Sequence, residues 1–156
     1  MIYILYILFG ITLFQDVKYR GVHWSVFLLL LASAAIYGSG LAWRDVGYNI
    51  LFLAGLLSAL TLYLSLKQGR IIDITKGYFS WGDILFLIVL APLFEWRMYM
   101  LVFVFGTIGV LIIHVFAHII KPQKTVPYAG YMAAISGVIL AFQTQIESFI
   151  NLNLWQ

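Results

Sequence analysis

The sequence predicts an all-α, polytopic integral membrane protein: six transmembrane helices in a single membrane-embedded domain spanning 1–156, with the N-terminus and the C-terminus outside. Three observations carry that reading. The first is composition. Of 156 residues, 63% are hydrophobic and only 10% charged, whereas a soluble domain is about half apolar and about a quarter charged. A soluble core of this size could not absorb so much apolar surface, and a disordered chain would be polar and poor in aromatics. The second is punctuation: the few charged residues divide the chain into apolar intervals, and at roughly 20 residues per helical span the length accommodates about six with short loops and no separate soluble domain. The third is charge asymmetry. With the N-terminus outside, the inner loops hold Lys18, Arg20, Lys67, Arg70, Lys76, Lys121 and Lys124, and the outer loops only Arg44 and Arg97, a clear excess of positive charge on the inner side.

The spans follow in order. Met1 to Phe14 is apolar with no preceding Lys or Arg and no convincing small-residue cleavage site, so it reads as a permanent first span, not a signal peptide. The second interval runs from Gly21 to Trp43, the third from Val46 to Leu66, the fourth from Ile84 to Phe94, the fifth from Met98 to Ile120 and the sixth from Thr125 to Ile146. Trp24, Trp43, Tyr48, Trp81, Trp96 and Tyr128 fall near span ends, as interfacial aromatics do. The longest loop, Lys67 to Ser80, lies inside, carries both signs of charge and two glycines, Gly69 and Gly77, and fits a short interfacial helix or a flap.

The fourth interval is too short. Its eleven residues between Asp83 and Glu95 reach only about 16 Å as a helix, against a hydrocarbon core about 30 Å thick. The span is therefore expected to extend backwards through Asp83, Gly82 and Trp81 towards Gly77. The first span has the same difficulty, which places Asp16 at or just inside its inner boundary. Because the first span ends inward with Asp16 and the fourth begins there with Asp83, both carboxylates lie at the same face and at similar depth. Each alone could be a solvated boundary charge, but ionisable groups in spans usually face a bundle interior or a water-filled cavity. Two adjoining carboxylates share a proton; one can then activate water while the other polarises a carbonyl. That is aspartyl protease chemistry. It requires neither a metal nor a cofactor nor a thiol, and the chain has no cysteine.

Three stretches carry a family resemblance. Phe14-Gln15-Asp16-Val17-Lys18-Tyr19-Arg20 resembles the D-x-K-x-R stretch of the type IV prepilin peptidases, Ser80-Trp81-Gly82-Asp83 resembles their G-x-G-D motif, and Val126-Pro127-Tyr128-Ala129-Gly130-Tyr131-Met132-Ala133 resembles the I-P-F-G-P-F-L-A stretch before the last span. Order, spacing and span context agree over essentially the whole chain. The resemblance implies a multi-pass aspartyl endopeptidase of the cytoplasmic (inner) membrane, active at its cytoplasmic face. Such an enzyme removes the short basic leader from prepilins or pseudopilins of type IV pilus and protein secretion systems. Asp16 and Asp83 match the catalytic aspartates. Lys18, Arg20, Ser80, Gly82, Pro127 and Gly130 match motif or substrate-positioning sites. Membrane lipids are the other expected partners, and nucleic acid is not one. The chain departs from the family pattern at Ser80 (a glycine), at Leu85 (often lysine), at Ala129-Gly130 (glycine-proline) and at Val22-His23 (isoleucine-proline). With no cysteines and a short first loop, it lacks the C-x-x-C insertion of members that also N-methylate the new N-terminus, so methylation is not expected.

His114 and His118 share a helix face at metal-ligand spacing, but no H-E-x-x-H pattern accompanies them, and no metal is expected. Gly106, Gly109, Gly130, Ser136 and Gly137 fit close helix packing; Pro92 fits a stop or kink; Gln143, Gln145 and Glu147 fit headgroup contacts. Two other classes compete: a small proton-coupled transporter using the carboxylates as a relay, and a non-catalytic secretion-system assembly partner. Presenilin-like proteases share the G-x-G-D idea but need a Pro-Ala-Leu motif, which is absent here.

Overall fold

A computed structural model describes residues 2–38, 41–71, 73–75, 79–120 and 126–143. The described residues form helices and no strands: α1 (Ile2–Tyr19), α2 (Trp24–Tyr37), α3 (Trp43–Gln68), α4 (Trp81–Leu90), α5 (Trp96–Ile120) and α6 (Tyr128–Ala141). Three of them, α1, α3 and α5, are long and apolar enough to cross a membrane, while α2, α4 and α6 are shorter apolar helices.

The alternation of long and short has local causes. Helix α1 runs past Asp16 to Tyr19, where Arg20 adopts a left-handed φ of 57° and its N–H donates to the Asp16 carbonyl at 3.0 Å. The chain then reverses: Gln15 Oε1 accepts from the His23 N–H at 2.9 Å, and the His23 side chain caps the start of α2. Helix α3 ends at Gly69, whose φ of 64° is the left-handed conformation that glycine adopts without a Cβ penalty. In the loop that follows, the described residues are turns, not helix: Asp73 accepts from the Thr75 N–H, and the Phe79 N–H donates to Ile74 O at 3.0 Å. Lys76 and Gly77 lie outside the described residues.

Helix α4 extends backwards through Asp83 and Gly82 to Trp81, as expected, but no further. It begins at Trp81, because Ser80 already caps it, and its ten residues span only about 15 Å. Pro92, which lacks an N–H, halts it at the other end, and the turn that follows is buried, with Ala91, Leu93 and Phe94 each no more than 1% exposed. A helix end in so apolar a setting needs partners for its carbonyls, and they come partly from other helices. Tyr99 Oη donates to Leu87 O at 2.9 Å, the Ala91 N–H to Ile88 O at 3.1 Å and the Leu93 N–H to Leu90 O at 3.0 Å. Asn49 Nδ2, from the buried face of α3, donates to Ala91 O at 2.9 Å and Phe94 O at 2.8 Å. Replacing Asn49 with leucine strands both carbonyls. The expected loss is about 2 kcal/mol of stability, read as a lowered thermal midpoint in detergent or lipid.

The core sits where the short helices meet the long ones. Phe9 of α1 packs on Phe86 of α4, ring centroids 6.0 Å apart, and Phe52 of α3 packs edge-on against Tyr99 and Phe103 of α5. Several glycines are contact points. A Cβ at Gly38 would collide with the Pro92 carbonyl oxygen, one at Gly106 would lie 2.6 Å from the Met132 thioether, and one at Gly109 2.8 Å from Ile135 Cδ1. Helix α1 packs most extensively against α6, and that pairing builds the site.

Candidate active site

Helix α6 starts without a side-chain cap of its own, Pro127 occupying the N-cap position. The first N–H groups of a helix have no partner within it, and its N-terminus favours negative charge. Here two carboxylates from other helices meet that need. The Gly130 N–H donates to Asp16 Oδ2 at 2.7 Å, across 114 positions of sequence. The neighbouring Ala129 N–H donates to Asp83 Oδ1 at 3.2 Å, across 46 positions. Two consecutive amides in one turn of α6 therefore hold the two aspartates side by side. Asp16 is 8% exposed and Asp83 9%, and Asp16 lies within the field of both Asp83 and Arg20.

Each carboxylate reaches this point for a reason in its own helix. Asp16 sits in the last turn of α1, opposite Gly130. A Cβ at Gly130 would lie 3.0 Å from Asp16 Cβ, 3.3 Å from Asp16 Oδ2 and 3.3 Å from Leu13 Cα, so glycine is what lets α6 come close enough for its amide to reach the carboxylate. Asp83 sits at the third position of α4 in a capping box: the Ser80 N–H donates to Asp83 Oδ2 at 2.9 Å, and Ser80 Oγ accepts from the Asp83 N–H at 3.2 Å. Both oxygens of Asp83 thus carry a backbone N–H.

The remaining candidates fall around this pair in different ways. Lys18 turns away, its ammonium 5.1 Å from the ring centroids of both Phe14 and Tyr19, two exposed side chains. Pro127 sets the start of α6 and its carbonyl accepts from the Tyr131 N–H at 3.1 Å. Gly82 is not demanded by packing: a Cβ there would meet only Ser80 Oγ at 3.5 Å and Phe27 Cζ at 3.7 Å, ordinary contact distances. Leu85 lies on the exposed side of α4.

Tyr128, read from sequence as an interfacial aromatic, is instead buried. Its ring meets Phe79 at 5.5 Å and its hydroxyl lies 3.0 Å from Thr107 Oγ1. Thr107 spends its single hydroxyl hydrogen on Phe103 O at 2.6 Å, so Tyr128 is the donor in that pair. Its proton is committed to α5 and is not offered to the aspartates. Thr107 and Ala129 were not among the candidate residues. Thr107 lies mid-helix in an apolar run, and Ala129 contributes a backbone amide, which no side-chain pattern reveals.

His114 and His118 lie with ring centroids 6.0 Å apart. Among the described residues no group of three or more His, Asp or Glu side chains converges to hold a metal. Gln145 and Glu147 lie outside the described residues. Scanned against protein-family models, curated proteins and solved structures, the chain finds no match in any of the three.

Proposed function

We propose that this chain is a membrane aspartyl endopeptidase that removes the basic leader peptide from type IV prepilins or pilin-like precursors. One observation carries the reading: Asp16 and Asp83, from different helices, meet on the consecutive amides of Ala129 and Gly130. Each carboxylate caps one amide of α6, but two carboxylates at one helix end repel one another, and such like-charge pairs cluster at functional sites. The three stretches that resemble the family are the same three that converge: the end of α1, the start of α4 and the start of α6.

In this reading all six helices are embedded, both termini lie outside, and the aspartates face the cytoplasmic side of the inner membrane. The precursor's apolar segment lies beside the bundle, with the scissile bond level with the pair. One aspartate takes a proton from water as the hydroxyl oxygen adds to the carbonyl carbon, while the other protonates the carbonyl oxygen. The tetrahedral intermediate collapses: one of its hydroxyls returns a proton to the second aspartate, the C–N bond breaks, and the leaving amine receives from the first aspartate the proton taken from water. The pair acts as one titrating unit. No step needs a cofactor, and the product keeps a free, unmethylated amine.

Co-expression with a pilin-type precursor, in a host lacking its own leader peptidase, tests this reading. The precursor is expected to shift to the mature mass with the wild-type chain and to stay full-length with Asp16→Asn. Full-length precursor beside a folded, membrane-inserted wild-type chain would refute it.

A further inference from the structure

Position 80 is where the chain departs from the glycine of the family motif, and the structure gives that serine a specific task. The backbone there is extended, φ −77° and ψ 156°, a conformation open to any residue, so nothing in the chain path asks for glycine. What the position supplies is a pair of reciprocal hydrogen bonds to Asp83. The Ser80 N–H donates to Asp83 Oδ2 at 2.9 Å, and Ser80 Oγ accepts from the Asp83 N–H at 3.2 Å. With the Ala129 N–H on Oδ1, Asp83 is fixed through both carboxylate oxygens and through its own amide. Asp16 receives the Gly130 N–H on Oδ2.

We propose that Ser80 is a positioning residue for Asp83: its hydroxyl anchors the first turn of α4 so that the carboxylate stands against Ala129 and beside Asp16. This rests on the leader-peptidase reading and adds to it. The serine is then a working substitute for the motif glycine: a glycine would keep the backbone N–H on Asp83 Oδ2, and what the hydroxyl adds is the bond to the Asp83 amide that anchors the first turn of α4. Ser80 touches neither water nor substrate in this role and acts only through Asp83.

The test uses the full-length protein in lipid vesicles with a purified pilin-type precursor, at a temperature where every variant remains folded. Ser80→Ala removes the hydroxyl and keeps the backbone N–H. It is expected to lower kcat about tenfold, as a slight misplacement of a reacting group does, with KM unchanged. Ser80→Thr restores a capping hydroxyl and is expected to return kcat to within about twofold of wild type, threonine being nearly as good a cap. A purely structural cap would lower the melting temperature of Ser80→Ala without changing kcat in the folded enzyme, and that result overturns the proposal. So does loss of activity in Ser80→Thr equal to that in Ser80→Ala, because the hydroxyl would then not be the cause. Failure of the wild-type protein to cleave at all overturns the peptidase reading itself and this proposal with it. Active wild type with equally active Ser80→Ala overturns this proposal alone.

Discussion

Asp16→Asn and Asp83→Asn are each expected to lower precursor cleavage by about 10²–10⁴-fold, the range supplied by a positioned acid or base. The two variants should differ in what else they lose. Asparagine at 16 can turn its amide oxygen towards the Gly130 N–H and keep the one hydrogen bond that Asp16 accepts there. Asparagine at 83 cannot satisfy both of its donors, because the Ser80 N–H and the Ala129 N–H approach different oxygens and the amide has only one. Its NH₂ group must face an N–H, which costs about 1–3 kcal/mol. Asp16→Asn should therefore be inactive with a near-native melting temperature, and Asp83→Asn inactive and less stable. Initial rates of precursor cleavage, paired with thermal unfolding in the same detergent, check both parts. Normal cleavage by either variant refutes a two-aspartate site.

Gly130→Ala carries the second large effect. The added methyl would lie 3.0 Å from Asp16 Cβ and 3.3 Å from both Asp16 Oδ2 and Leu13 Cα. Leu13 Cα is backbone and yields little, so the displacement falls on the carboxylate and on the 2.7 Å bond that holds it. Small misplacements of a reacting group can cost about 10²-fold. Cleavage is expected to fall by about 10–10²-fold, with a stability loss of about 1–3 kcal/mol from overpacking. Gly82→Ala is the contrast. Its methyl meets only contacts of 3.5 Å and 3.7 Å, so the fold should tolerate it, and any loss of cleavage there reports the approach of substrate. Melting curves of the two variants, set beside their cleavage rates, separate the two cases. Equal stability and equal activity of Gly130→Ala and wild type would show that the α1–α6 approach is looser than the geometry implies.

The parts legible in the sequence are those that depend on local pattern. Charge punctuation located all six helices, and the shortness of the first and fourth intervals singled out Asp16 and Asp83. What was illegible depends on groups that meet only in the fold. The fourth helix was expected to lengthen towards Gly77 to cross the bilayer. It reaches back only to Trp81, where Ser80 caps it, and at its far end Asn49 and Tyr99, from α3 and α5, satisfy carbonyls; no local signal ties an asparagine at 49 to carbonyls at 91 and 94. Tyr128 looked interfacial because tyrosines near span ends often are; its partner Thr107 lies on another helix. Ala129 acts through its backbone and so leaves no side-chain signature. Ser80 stood out in the sequence only as a departure from the motif glycine; its capping box with Asp83 emerges in the structure. In the structure the capping geometry is what holds the candidate catalytic side chain.

The most direct measurement is to incubate the purified wild-type protein, in lipid vesicles, with a purified pilin-type precursor and to identify the products by tandem mass spectrometry. The expected result is a single cut between the basic leader and the apolar segment, giving a free, unmethylated new N-terminus and no cut with Asp16→Asn. An intact precursor at every concentration of folded protein, or cleavage that persists in Asp16→Asn, would contradict it.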